Sequence, residues 1–199
     1  MNNEVLSQIN EHLLNNLQHL EVPNGAEQRT VGDLMSFAIK ELLMTFSNPN
    51  IVELQSAKSK KALEDFLLID KDGTMNYFNI VTYNVDAKFS MPNLASINKI
   101  KSLFDTGTND ILYIFVSYQK IKSVITIMDI DIKYVWEIGF DNLRIGSLGK
   151  GQLQISNMHK DIVPFKFGRV VWFDNLKKLV NNYHQKRLSQ INKDALQWV

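Results

Sequence analysis

Apolar positions recur at helical spacing through roughly the first fifty residues and in short strand-like runs through much of the remaining chain. Val5, Ile9, Leu13, Leu14, Leu17 and Leu20 follow a 3.6-residue repeat, which predicts an amphipathic helix over 4–20. Val22-Pro23-Asn24-Gly25 ends it with turn chemistry. A second helix is expected from about Thr30 or Asp33 to Thr45, with Leu34, Phe37, Ala38, Leu42 and Leu43 as its apolar set and Glu41 within it. After the loop Ser47-Asn48-Pro49-Asn50 the runs shorten. Residues 63–69 form a short apolar run broken at Glu64-Asp65, Lys71-Asp72-Gly73-Thr74 supplies a tight turn, and 77–85 is the next strand-like run. An Asp-Gly turn between two such runs predicts an antiparallel hairpin. Ser90-Met91-Pro92-Asn93 is expected to open a helix reaching Phe104, with Ser90 as its cap and Pro92 in its first turn. Strands are expected over 111–118, 124–135 (bent) and 152–155, the last after a loop punctuated by Gly146, Gly149 and Gly151. Leu176, Leu179, Val180, Tyr183, Leu188 and Ile191 predict a long helix over about 172–196. The order suggests one α/β or α+β domain over 1–199, with N-terminal helices in 1–46 and a mixed central sheet flanked by helices.

Composition narrows the class. Hydrophobic residues make up 45% of the 199 positions and charged residues 22%, the balance of a globular chain rather than a disordered or fibrous one. No apolar run nears the roughly 18 residues of a membrane-spanning helix. Met1-Asn2-Asn3-Glu4 lacks the basic start of a secretory leader, so a cytoplasmic protein is expected. There is no cysteine, which excludes disulfides, zinc–thiolate sites and thiol nucleophiles. The net charge of +1 conceals an asymmetry: residues 150–199 hold nine Lys or Arg against three Asp. A basic segment of this kind suits a polyanion or the wet face of a helix.

Several familiar sites are absent. Gly146-Ser147-Leu148-Gly149-Lys150-Gly151 lacks the spacing of a phosphate loop, since Arg144 and Gly151 stand where its first Gly and its hydroxyl would be. His12, His19, His159 and His184 are scattered. The informative segment is the hairpin. An acid at Asp65 on one arm faces the positions of the next arm, where a second acid and a lysine would complete a phosphodiester-hydrolysing centre: carboxylates to hold Mg²⁺, an ammonium to orient the attacking water. The bland reading of the same spacing is that Asp65 and Asp70 are solvent-side residues of the hairpin.

Four ordered blocks carry a resemblance. Asp65-Phe66-Leu67-Leu68-Ile69, the strand ending Thr82-Tyr83-Asn84-Val85, Met91-Pro92-Asn93-Leu94, and Gly149-Lys150-Gly151-Gln152-Leu153-Gln154-Ile155 together resemble type II restriction endonucleases of the PD-(D/E)xK superfamily, nearest its blunt-cutting branch. The resemblance covers about 59–104 and 136–158. It implies the restriction-endonuclease fold, Mg²⁺-dependent hydrolysis of double-stranded DNA at a short palindromic site, a homodimer, and a role in restriction-modification. It also implies a departure. With Thr82 and Pro92 in register, the family's second Asp falls on Asn79 and its Lys on Val81. Asn79 keeps a carbonyl but no charge, and Val81 has no ammonium, so a catalytically disabled DNA-binding relative or partner subunit is the alternative. Asp86-Ala87-Lys88 offers a second Asp-x-Lys, with Asp65 and Asp86 as metal ligands, but a seven-residue slide along a strand would reverse its face. Glu41 would be a further helical acid. Lys60, Lys61 and Lys150 are expected at phosphates, and Asn93 among the DNA contacts. Gln152 and Gln154, two apart on a strand, would present amides to base edges.

Overall fold

Strand β4 (Met75–Asn84) divides the molecule between two apolar cores. Phe78 and Ile80 point into one; Tyr77, Val81 and Tyr83 point into the other. This computed structural model describes residues 1–57, 64–88, 90–107, 109–146 and 151–196. Around β4 lies a six-stranded sheet in the order β1 (His19–Glu21), β7 (Val124–Tyr134), β6 (Asp110–Ile121), β4, β3 (Phe66–Asp70) and β2 (Ile51–Ser56). β4 and β6 run parallel and the other neighbours antiparallel, the mixed sheet that the element order suggests.

Helices α1 (Asn3–Asn16) and α2 (Gln28–Thr45) cover one face. Asn2 caps α1, its Oδ1 accepting the Val5 amide at 2.9 Å. The expected helix over 4–20 stops short because 19–21 pair with β7 at Leu20↔Ile125, and sheet pairing overrides local periodicity. α2 buries Val31, Met35, Ile39 and Leu43, a four-residue stripe. Leu34 and Phe37, expected in its core face, are 37% and 63% exposed. The helix is apolar around much of its circumference, so periodicity alone does not choose which stripe docks.

The other face carries α3 (Ile97–Thr106), a three-stranded antiparallel sheet in the order β5 (Asn93–Ser96), β9 (Gln152–Ile155), β8 (Leu143–Gly146), and the first turns of α4 (Gly168–Leu196). Trp172 on α4 is fully buried and donates its indole N–H to the Ile138 carbonyl at 2.9 Å. The helix expected to open at Ser90 begins instead at Ile97, where Ser96 Oγ accepts the Lys99 amide at 3.3 Å. Residues 93–96 are strand because β9 claims them: Pro92 O accepts the Ile155 amide at 3.1 Å, and Asn93 pairs with Gln154.

The hairpin forms as its turn chemistry predicts. Gly73 takes φ +77, and Asp70 Oδ1 accepts the amides of Asp72 and Thr74 at 3.1 and 3.0 Å. The β6–β7 register shifts between Ser117 and Tyr118, where Met128 of β7 is the extra residue of a bulge. Beyond Val180, α4 is exposed apart from a half-buried Tyr183. No helix among the described residues is long and apolar enough to cross a membrane.

Candidate active centre and nucleic-acid interface

Asp65 stands just before β3, one step from the pair Phe66↔Phe78, so the hairpin register sets it against Asn79. Its amide donates to the Phe78 carbonyl at 2.8 Å, and its Oδ2 accepts the Ile80 amide at 2.8 Å. Oδ1 lies 3.7 Å from Lys40 Nζ, which α2 brings over the sheet. Both carboxylate oxygens are therefore engaged.

Asn79 pairs with Tyr113 on β6, and Val81 with Phe115. The Asn79 Nδ2 and the Tyr113 hydroxyl are buried without a hydrogen-bond partner. Burial, and then the negative charge of Asp65, hold the Tyr113 phenol above its ordinary pKa, so it remains a neutral hydroxyl. Val81 is buried in the second core. The residues at this centre thus supply one carboxylate, one neutral amide and no ammonium from the strand, with Lys40 as the nearby cation. Mg²⁺ takes oxygen ligands with enough negative charge to offset its own. Asp65, Asn79 and Val81 fall short of that set.

The remaining sequence-derived candidates lie elsewhere. Asp86 and Lys88 are exposed in the turn after Asn84. Asp86 receives Gln119 Nε2 at 3.5 Å, and its amide donates to Asn84 Oδ1 at 3.0 Å. From Ile80 to the end of β4 is about 13 Å of extended chain, so this Asp-x-Lys and Asp65 are not brought together. Glu41 is exposed. Its neighbour Lys40 is the α2 residue at the centre, and no spacing rule singles it out. Lys60, Lys61 and Lys150 lie outside the described residues.

On the same sheet face a cleft of about 430 Å³ opens between the large sheet and residues 158–162, lined by Tyr83, Asp129, Asp131, Lys133, His159 and Lys160. Asp131-Ile132-Lys133 on β7 is a further Asp-x-Lys, legible as such in the sequence but outside the four ordered blocks. The two side chains pair with each other at 2.6 Å. Burial raises the Tyr83 phenol, a hydrogen bond to Ser117 opposes that rise, and Asp129 and Asp131 add to it.

The small sheet separates polar from apolar. Leu153 and Ile155 of β9 are buried in the second core, as alternation predicts. The opposite face presents two rows across β5, β9 and β8: Asn93, Gln154, Arg144, and Ser96, Gln152, Gly146. Gln152 is half-buried. Gln154 is only 6% exposed, because its amide lies along the sheet between its neighbours. Arg144 is exposed.

These layers and their order are those of the restriction-endonuclease-like fold, and solved structures match this chain. NlaIV restriction endonuclease is one of them: it superposes with a TM-score of 0.59 at 15% sequence identity, over 87% of this chain and 78% of that one. No family model and no curated protein matches the sequence.

Proposed function

We propose that the protein binds double-stranded DNA in the manner of a restriction endonuclease, and that its cleavage centre at Asp65 is reduced. The observation that carries the second part is the β3–β4 register, which sets Asp65 against the uncharged Asn79, with the buried Val81 two residues on. Support for the first part comes from the likeness to a restriction endonuclease over 87% of the chain. The polar face of the small sheet, beside an all-apolar opposite face, adds to it. On this reading the partner is a short, specific duplex site. A two-fold palindrome would be bound by a homodimer, and the protein would act on DNA in the cytoplasm. The rival reading, an active Mg²⁺-dependent site-specific endonuclease, is favoured by Lys40, whose ammonium stands beside Asp65 despite Val81.

One set of samples decides between them. Long duplex DNAs are incubated with the protein and Mg²⁺, or Mn²⁺ in parallel, and each sample is run for both retardation and cleavage. The expected result is retardation that weakens steeply with salt, without discrete fragments. Discrete fragments that vanish in Asp65→Ala would establish the active enzyme instead. Absence of retardation at low salt would sink the DNA reading altogether.

A further inference from the structure

The row Asn93–Gln154–Arg144 is a continuous polar ladder across three strands. Gln154 Oε1 accepts the Nε–H of Arg144 at 3.2 Å, and Gln154 Nε2 donates to Asn93 Oδ1. The amide of Gln154 is thereby engaged at both ends, and its 6% exposure, rather than exhausted hydrogen-bonding capacity, keeps it from a base. Arg144 is the reverse case. Its side chain is exposed, its Nε–H is fixed by Gln154, and among the described residues no carboxylate lies within ion-pair distance of it. Its two terminal amino groups remain, on a plane whose orientation is set by the ladder. Gly146 makes room for this: a Cβ there would stand 2.5 Å from Gln154 Cδ.

A guanidinium held by one edge, with its two end groups presented outward, matches the O6 and N7 acceptors of guanine in the major groove. We propose that Arg144 is the guanine-reading side chain of this protein, with Gln154 and Asn93 as the residues that position it. The inference rests on the DNA-binding reading above and deepens it by moving base recognition from Gln154 to its exposed neighbour. Preorganisation is what the ladder contributes: an arginine free to rotate would meet phosphates and bases alike, whereas one fixed at Nε meets a donor–acceptor pattern in a set plane.

The test is selection from a random duplex library with the wild-type protein, Arg144→Ala and Gln154→Leu. Affinity for a non-selected duplex is measured alongside. The wild type is expected to enrich a sequence containing at least one required guanine. Arg144→Ala is expected to lose discrimination at that guanine by on the order of tenfold or more. Gln154→Leu should relax the same position, with non-selected affinity within about threefold of wild type in both variants. Gly146→Ala, which crowds Gln154 without changing any polar group, should give a milder form of the same relaxation. An unchanged guanine preference in Arg144→Ala, or a loss of affinity uniform over all sequences, would overturn the proposal and make Arg144 a phosphate contact at most. Wild-type binding with no sequence preference would overturn it too. Failure of the wild type to bind any duplex at low salt would instead remove the DNA-binding reading on which it stands.

Discussion

Ile80 and Lys40 satisfy Asp65 from two sides, while Asn79 Nδ2 and the Tyr113 hydroxyl beside it have no partner. Asn79→Asp would change the balance of this group. It adds a second carboxylate next to Asp65, and two neighbouring carboxylates raise each other's pKa until a cation relieves them. The variant is expected to bind Mn²⁺ or Tb³⁺ at least about tenfold more tightly than wild type, and more tightly still as pH rises through the carboxylate range, because protons must leave first. Terbium luminescence sensitised by Tyr113 is the readout, and equal emission from both proteins would refute it. Adding Val81→Lys supplies the missing ammonium, at a stability cost of several kcal/mol for a charge placed in the core. Asp110 titrates under a different balance. Burial raises its carboxyl above the ordinary range, against the opposing pull of Arg169 and the N-terminal ammonium, with Asp70 adding to the rise. A carboxyl raised in the folded state favours folding while protonated. That contribution is complete below the unfolded pKa and is lost as pH climbs through the folded one. Asp110→Asn should therefore gain on wild type in urea unfolding as pH rises above about 4, the ordinary aspartate value. Arg169→Ala should lose about 2–4 kcal/mol, with the loss growing as Asp110 ionises, because the ion pair with it at 3.8 Å goes too. Arg169 donates to the Gly107 and Asn109 carbonyls at 2.7 and 2.8 Å and lies over the Phe104 ring at 4.6 Å.

Elements differ in how far their own residues announce them. The β3–β4 hairpin and β9 are legible because their signals are local: an Asp-Gly turn between apolar runs, and Leu153 and Ile155 alternating with glutamines. β1, β2 and β8 are not, since each is short and becomes strand only through its partner; residues 19–21 read as helix until β7 pairs with them. The helix expected at Ser90 fails for the same reason. Ser96 has equal capping chemistry, and the competition is decided by β9 taking 93–96. The Asp65 centre is half legible. Its alignment with Asn79 and Val81 follows from hairpin register, but the choice of Lys40 over Glu41 depends on which stripe of α2 docks, and that is a tertiary fact. Arg144 is invisible as a candidate because its strand reads as the approach to a glycine-rich loop.

At the scale of the whole molecule, α4 extends past the body that anchors it. Leu188 and Ile191, one turn apart, are 60% and 53% exposed, on a helix whose buried residues are Trp172 and Leu176. The homodimer proposed above would be expected to cover this distal stripe. Leu188→Lys with Ile191→Lys should then yield a monomer by light scattering with an unchanged circular dichroism spectrum, and a wild type that is itself monomeric at micromolar concentration would refute the assignment. A different consequence attaches to the parallel pair β4–β6. An antiparallel hairpin can close by itself, but parallel neighbours need an intervening crossover, here through β5 and α3. Asn79 and Tyr113 face each other across this pair, so the centre has no existence in a chain that has made only its local contacts. Its assembly waits on the β4–β6 pairing, a contact of high sequence separation and so of the slower-forming kind. A nascent or partly unfolded copy carries Asp65 and its hairpin but not the site, which ties competence at this centre to completion of the whole sheet.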